Sequence, residues 1–189
     1  MTKTELKTIF QNYLVVLECH NEQKRHVRLY LQSRNIRVLE YPFFTADYSF
    51  MIMPNQYSAN KEPLFFGNDF LIERKSGVAN YGGGYQELAN NLRSGHQQFK
   101  AEFQRMTEVK HVYLLLENTT SKNDIVKLRY DADNIAVLEK IYQKFLYNRN
   151  QERLKAGSNP IEIVHTPLDD SGETIIKLIY KYLINYFQI

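Results

Sequence analysis

Two short apolar runs, LVVLE at residues 14–18 and HVYLLLE at residues 111–117, constrain the fold more than any other feature. A strand with one wet face alternates apolar and polar residues, whereas a nearly unbroken apolar run suits a strand covered on both faces. Such cover comes from helices, and helical periodicity fills much of the remaining chain. Residues 2–13 read as a helix with Thr2 and Glu5 at capping-box spacing. Residues 22–34 read as a second, with Val27, Tyr30 and Leu31 along one side. Tyr85, Leu88, Leu92, Phe99, Phe103 and Met106 predict one long amphipathic helix, with a lapse in the period near His96. Ile135, Leu138, Ile141, Tyr142 and Phe145 mark another, and residues 173–187 a last one capped near Ser171. Further strands are expected at 36–41, 48–53, 161–166 and in DFLIERK (69–75), and 148–160 reads as a polar surface linker. Strands alternating with helices predict an α/β fold, a three-layer α/β/α arrangement around a central mixed sheet. A chain of 189 residues suits one domain spanning 1–189.

Composition excludes several function classes. A single cysteine, Cys19, rules out an internal disulfide and a cysteine zinc cluster, and suits a reducing compartment. No stretch approaches the roughly 20 apolar residues of a membrane span, and the start carries no apolar signal-peptide core. A cytoplasmic protein without a membrane partner is therefore expected. The net charge of +3 is compatible with nucleic acid but needs a local basic patch to mean anything.

DFLIERK places its charges oddly. Side chains alternate along a strand, so Asp69, Leu71, Glu73 and Lys75 share one face and Phe70, Ile72 and Arg74 the other. A carboxylate and a lysine two positions apart are about 6.6 Å apart at the backbone, close enough for both tips to converge on one metal-bound water. Phosphodiester hydrolysis calls for that combination. A hard cation such as Mg²⁺ takes one or two carboxylates plus water and phosphate, and a nearby ammonium meets the attacking water or the developing charge. Asp47, at the head of the preceding strand, is the candidate second carboxylate. Asp69 would lie about 13 Å from Glu73 on a straight strand, so sharing a metal would need a bulge or twist. Otherwise Asp69 serves a second metal, the substrate or a neighbouring side chain.

The combination ADYSF, NDFLIERKS and QELANNLRSGHQQFKAEF, followed by HVYLLLEN, resembles the XPF-type nuclease domain of the PD-(D/E)XK superfamily, over roughly residues 14–118. The smaller viral and archaeal forms, without a tandem helix-hairpin-helix tail, are nearest in length. The resemblance implies a restriction-endonuclease-like fold. It puts Asp47 in a metal-ligand place, Glu73 and Lys75 in the ligand and catalytic-lysine places, and Asp69 and Glu87 in assisting acidic places. Three departures stand out. Ala46 replaces the usual glycine before the first aspartate, a glycine-rich stretch is inserted before Glu87, and LECHNE offers Glu18 and Glu22 in place of an acidic D-x-R-E strand end.

The expected function is a Mg²⁺- or Mn²⁺-dependent DNA endonuclease selective for branched, flap or junction DNA. Arg74, Arg93, His96 and Lys100 are candidate DNA contacts, against the plainer reading of a solvated helix face or, for Arg74, an internal tie. Tyr81 and Tyr85 could stack on an unpaired base or simply belong to a flexible loop. A homodimer, or a protein partner that supplies substrate affinity, is implied by analogy. The alternatives are a Holliday-junction resolvase or nicking enzyme on the same fold, and a catalytically silent module that binds DNA or regulates a partner.

Overall fold

The computed structural model describes the chain apart from residues 21–24, 44, 58–60 and 94–95, and apart from the side chain of His96. In chain order the elements are α1 (Lys3–Asn12), β1 (Leu14–Cys19), α2 (His26–Ser33), β2 (Arg37–Tyr41), β3 (Tyr48–Ile52), β4 (Leu64–Phe65) and β5 (Phe70–Lys75). There follow α3 (Gly84–Arg93), α4 (His96–Arg105), β6 (His111–Glu117), α5 (Ala132–Lys155), β7 (Glu162–Thr166) and α6 (Ser171–Tyr186). The architecture is α/β, with helices flanking a mixed seven-stranded sheet. Among the described residues no helix is long and apolar enough to cross a membrane.

The chain forms two compact units. One comprises Met1–Phe43, Asp47–Asn68 and Asp169–Ile189, the other Phe44–Ala46 and Asp69–Leu168. In the first, β1 pairs in parallel with β2 and antiparallel with β3, and the short β4 pairs antiparallel with β3. β1 is buried along its whole length, as its apolar run requires, whereas β2 is a largely exposed edge. Thr2 caps α1 and exchanges a full capping box with Glu5. Leu6, Ile9, Val27, Leu31, Ile175 and Ile179 from α1, α2 and α6, with Val16 and Phe50 from the strands, are all buried in this unit's core.

In the second unit β5, β6 and β7 run parallel, and α3, α4 and α5 pack beside them. The β5–β6 ladder is unbroken from Phe70↔His111 to Lys75↔Leu116. Both strands are buried end to end apart from a partly exposed His111.

Three expectations about the elements are corrected. The long helix across residues 85–106 is two helices, α3 and α4, and the division falls where the apolar period lapses between Leu92 and Phe99. The segment 148–160 is not a linker, because α5 runs to Lys155. Its polar residues include Arg149 and Arg153, which are buried rather than solvated. The helix then closes on Gly157 in the left-handed conformation, with Gly157 N–H donating to Leu154 O and Ser158 N–H to Arg153 O, the double bond pattern of a Schellman stop. Ser171 does not cap α6. It is the first helical residue and fully buried, and Asp170 before it makes no side-chain cap. The helix expected at 22–34 is described only as α2, with residues 21–24 outside the described part.

Candidate active site

β5 pairs in parallel with β6 yet carries three consecutive charged residues, and all of them are buried: Glu73 is 6% exposed, Arg74 7% and Lys75 6%. Such groups are almost never buried without partners. The alternation of the strand separates those partners onto two faces. On one, Arg74 donates to Glu117 at 2.7 Å. That carboxylate sits two residues beyond Leu115, its direct cross-strand neighbour, and is fully buried. On the other, Lys75 Nζ donates to Glu73 Oε1 at 2.5 Å.

Lys75 is held by more than Glu73. Glu87 Oε1 lies 3.5 Å from its ammonium, and Glu87 Oε2 accepts the Ser76 N–H at 2.8 Å, so one carboxylate ties α3 to the end of β5. Phe99 of α4 presents its ring 5.4 Å from Nζ, a cation–π contact in a site mostly closed to water. The glycine-rich stretch explains how α3 comes so near. A Cβ on Gly84 would sit 2.5 Å from the Lys75 carbonyl oxygen, and one on Gly83 would meet the Asn118 and Glu117 carbonyls at 2.4 and 2.5 Å. Gly83 also takes a φ of 53°, which glycine adopts without penalty. The insertion lets the first turn of α3 rest directly on the ends of β5 and β6, which puts Glu87 within reach of Lys75.

Burial pushes the Glu73 carboxyl above its ordinary value. Lys75 pulls the other way, while the nearby carboxylates of Glu102 and Glu87 add to the upward push. Among the described residues Lys75 is the only hydrogen-bond donor to this carboxylate, through Oε1, and Oε2 accepts nothing. A buried carboxylate with a vacant oxygen, pressed by other negative charge, fits a hard divalent cation in chemistry. Among the described residues no group of three or more His, Cys, Asp or Glu is arranged to hold a metal.

The other predicted residues are distributed as follows. Asp47, half-buried in the first unit, directly precedes β3, and its carbonyl accepts the Cys19 N–H at 2.7 Å. Asp69 is not brought to Glu73. The β5 ladder has no bulge, so Asp69 stays at the opposite end of the strand, where its carbonyl accepts the His111 N–H at 2.8 Å and its charge acts on the His111 ring. Arg74 is corrected as a DNA contact, because its guanidinium is turned inward to Glu117. Arg93 and Lys100 are exposed, with Arg93 stacked over Tyr130 at 4.9 Å. The His96 side chain and Glu22 lie outside the described residues. Neither reading of Tyr85 survives: it is 1% exposed in the core of its unit, in edge-to-face contact with Tyr142. Tyr81 is covered by Arg129, whose guanidinium carbon is 3.3 Å from the ring centre. Glu18 is buried and bound by Arg28, which also reaches Glu40 at 2.9 Å. Phe99 was missed as part of this site, and Glu117 as the partner of Arg74 on the other face of the strand. The only signal for Glu117 was a lone charge closing an otherwise apolar strand.

No protein-family model and no curated protein matches the chain. Solved structures do. XPF from Aeropyrum pernix matches with a TM-score of 0.55 at 14% identity, over 89% of this chain and 60% of that one. XPF from Aeropyrum pernix in complex with DNA matches with a TM-score of 0.51 at 13% identity, over 90% and 65%. The chain thus spans less than two thirds of either. At such identity the likeness is one of fold, and it is the XPF-type nuclease fold to which the sequence resemblance pointed.

Proposed function

We propose that this chain is a metal-dependent DNA endonuclease that hydrolyses phosphodiester bonds and prefers branched, flap or junction DNA. The observation that carries the proposal is the buried Glu73–Lys75 pair at 2.5 Å, with the second Glu73 oxygen unbonded. Glu73 would hold a Mg²⁺ or Mn²⁺ ion through Oε2. Asp47 enters as the companion ligand on the family resemblance alone. When bound, the ion would polarise the phosphodiester and acidify a water. Lys75, held by Glu73, Glu87 and the Phe99 ring, would offer positive charge to the attacking water and to the phosphate as charge develops. Glu87 is a positioning residue that keeps Lys75 in place and joins α3 to β5. DNA as the substrate is supported by the structural neighbour solved in complex with DNA, and the preference for branched forms rests on the family resemblance.

The test is cleavage of end-labelled duplex, single-stranded, flap, fork and four-way-junction DNA with Mg²⁺, Mn²⁺ or EDTA, using wild type, Glu73→Ala and Lys75→Ala. Metal-dependent cutting by wild type and its loss in both variants is the expected result. Folded wild-type protein that binds these DNAs and cuts none would overturn the proposal in favour of a silent DNA-binding module.

A further inference from the structure

A groove on the second unit, enclosing about 450 Å³ between α3, α4 and α5, has a composition that the cleavage site does not use. Four cations border it, Arg93 from α3, Lys100 from α4, and Lys144 and Arg149 from α5, together with Asn148. Among the described residues no acidic side chain lines it. Its walls are the apolar side chains of Leu92, Ile141 and Phe145. Arg149 is 6% exposed. Its guanidinium is ion-paired to Glu152, with Nη2 donating at 2.7 Å and Nη1 also 2.7 Å from that carboxylate. Ile141 is a further anomaly, a large apolar side chain left 36% exposed on the rim.

Like charges gathered around one cavity repel, and among the described residues Arg93, Lys100 and Lys144 have no carboxylate partner, so the arrangement calls for an anionic occupant. Apolar walls beside the cations exclude a bare hydrated ion as the best fit. They suit a phosphate joined to a flat, weakly polar body. Duplex DNA keeps its base faces stacked inside, whereas a single strand offers phosphates and base faces together. The groove also adjoins the catalytic pair. Phe145 in its wall stacks on Phe99 at 5.1 Å between ring centres, and Phe99 is the ring that supports Lys75.

We propose that this groove is a binding site for single-stranded nucleic acid, seating one backbone phosphate on Arg93, Lys100, Lys144 and Arg149 and a base against Leu92, Ile141 and Phe145. The inference rests on the nuclease reading for its biological sense but not for its test. In that reading the groove holds the unpaired arm of a branched substrate while the cut is made at Glu73 and Lys75.

The experiment is fluorescence anisotropy with a 5′-labelled single-stranded 12-mer in EDTA at several salt concentrations. Unlabelled single strand, unlabelled duplex and inorganic phosphate serve as competitors. The variants are Lys144→Glu and Lys155→Glu, both exposed lysines on α5, the second lying outside the groove. Lys144→Glu is expected to weaken single-strand binding about tenfold or more and to flatten its salt dependence by about one phosphate contact. Lys155→Glu should change neither, and unlabelled single strand should compete better than duplex. Equal effects of the two variants would overturn the site, as would duplex competing as well as single strand, or no binding by wild type. Wild type that binds the single strand in this way but cuts no DNA would count against the nuclease reading and leave the groove standing.

Discussion

Arg74 and Lys75 are chain neighbours with the same charge and opposite surroundings, and the difference separates stability from chemistry. Arg74 faces Glu117, which is fully buried and 43 residues away in sequence, so neither charge can reach water if the other is removed. Arg74→Met is therefore expected to cost about 3–5 kcal/mol in urea unfolding, the usual result of stranding one member of a buried pair. Lys75 faces Glu73, whose carboxyl burial already pushes toward the neutral form, so Glu73 can take up a proton when the ammonium is lost. Lys75→Met should abolish cleavage while its urea midpoint stays near wild type. A stable Arg74→Met protein, or a Lys75→Met protein that unfolds as readily as Arg74→Met, would contradict this division. The charges of E-R-K were visible in the sequence, and so was their alternation. The partner of Arg74 was not, because it depends on the register between β5 and a strand that returns only after two helices.

At the scale of elements, two connections decide whether the site is assembled. The first is the close approach of α3. Gly84→Ala would force a methyl to 2.5 Å from the Lys75 carbonyl, and a backbone atom cannot swing aside as a side chain does. The helix start must move away, taking Glu87 from Lys75 and from the Ser76 N–H. Cleavage should fall at least about tenfold, consistent with the sensitivity of catalysis to sub-ångström misplacement. A Glu87→Gln variant should lose less, because the amide keeps an oxygen to accept the Ser76 N–H. The second connection is Arg153 in the last turns of α5. It is 1% exposed and donates to the carbonyls of Met106, Val109 and Asn159 at 2.5 to 2.8 Å, so it fastens α5 to the segment that launches β6. Arg153→Met should cost about 3 kcal/mol or more, since several buried carbonyls lose their donor together. Denaturant unfolding monitored by circular dichroism measures it. Arg153 also explains why the polar segment 148–160 misled the sequence reading. Composition says that arginine belongs in solvent, and nothing local reveals carbonyls more than 40 residues away waiting for it.

For the whole molecule, the two apolar runs were enough to find β1 and β6, because continuous hydrophobicity reports burial on both faces wherever the partners lie. The two-residue β4, in contrast, was too short to leave a pattern and was not expected. β6 falls on the expected residues, and β1 runs one residue beyond its own. Placement of charge within that buried frame was less legible, and its consequence is a pH dependence. His111 and His165, at the start of β6 and within β7, are both held below the ordinary histidine value of 6.5 by burial. Asp69 and Glu162 oppose that shift at His111, where Lys110 and Arg153 reinforce it, and Asp124 opposes it at His165. His165 Nδ1 also pairs with Thr119 Oγ1 at 2.9 Å. A base whose folded value is depressed binds protons more readily when unfolded, so it contributes stability at neutral pH that is lost as pH falls through about 6.5. Glu73 acts in the reverse sense: its raised value favours the folded state at low pH, and that contribution disappears as pH rises. Total stability therefore mixes the two, and only a difference isolates the histidines. Urea unfolding in EDTA, run from about pH 7.5 to 5 on wild type and on the His111→Asn, His165→Asn double variant, subtracts the Glu73 contribution at each pH. The gap between the proteins should narrow steadily as pH falls, because wild type loses stability on protonation and the variant has nothing there to protonate. A gap that stays constant would mean that both imidazoles titrate in the folded protein as they do in the unfolded chain.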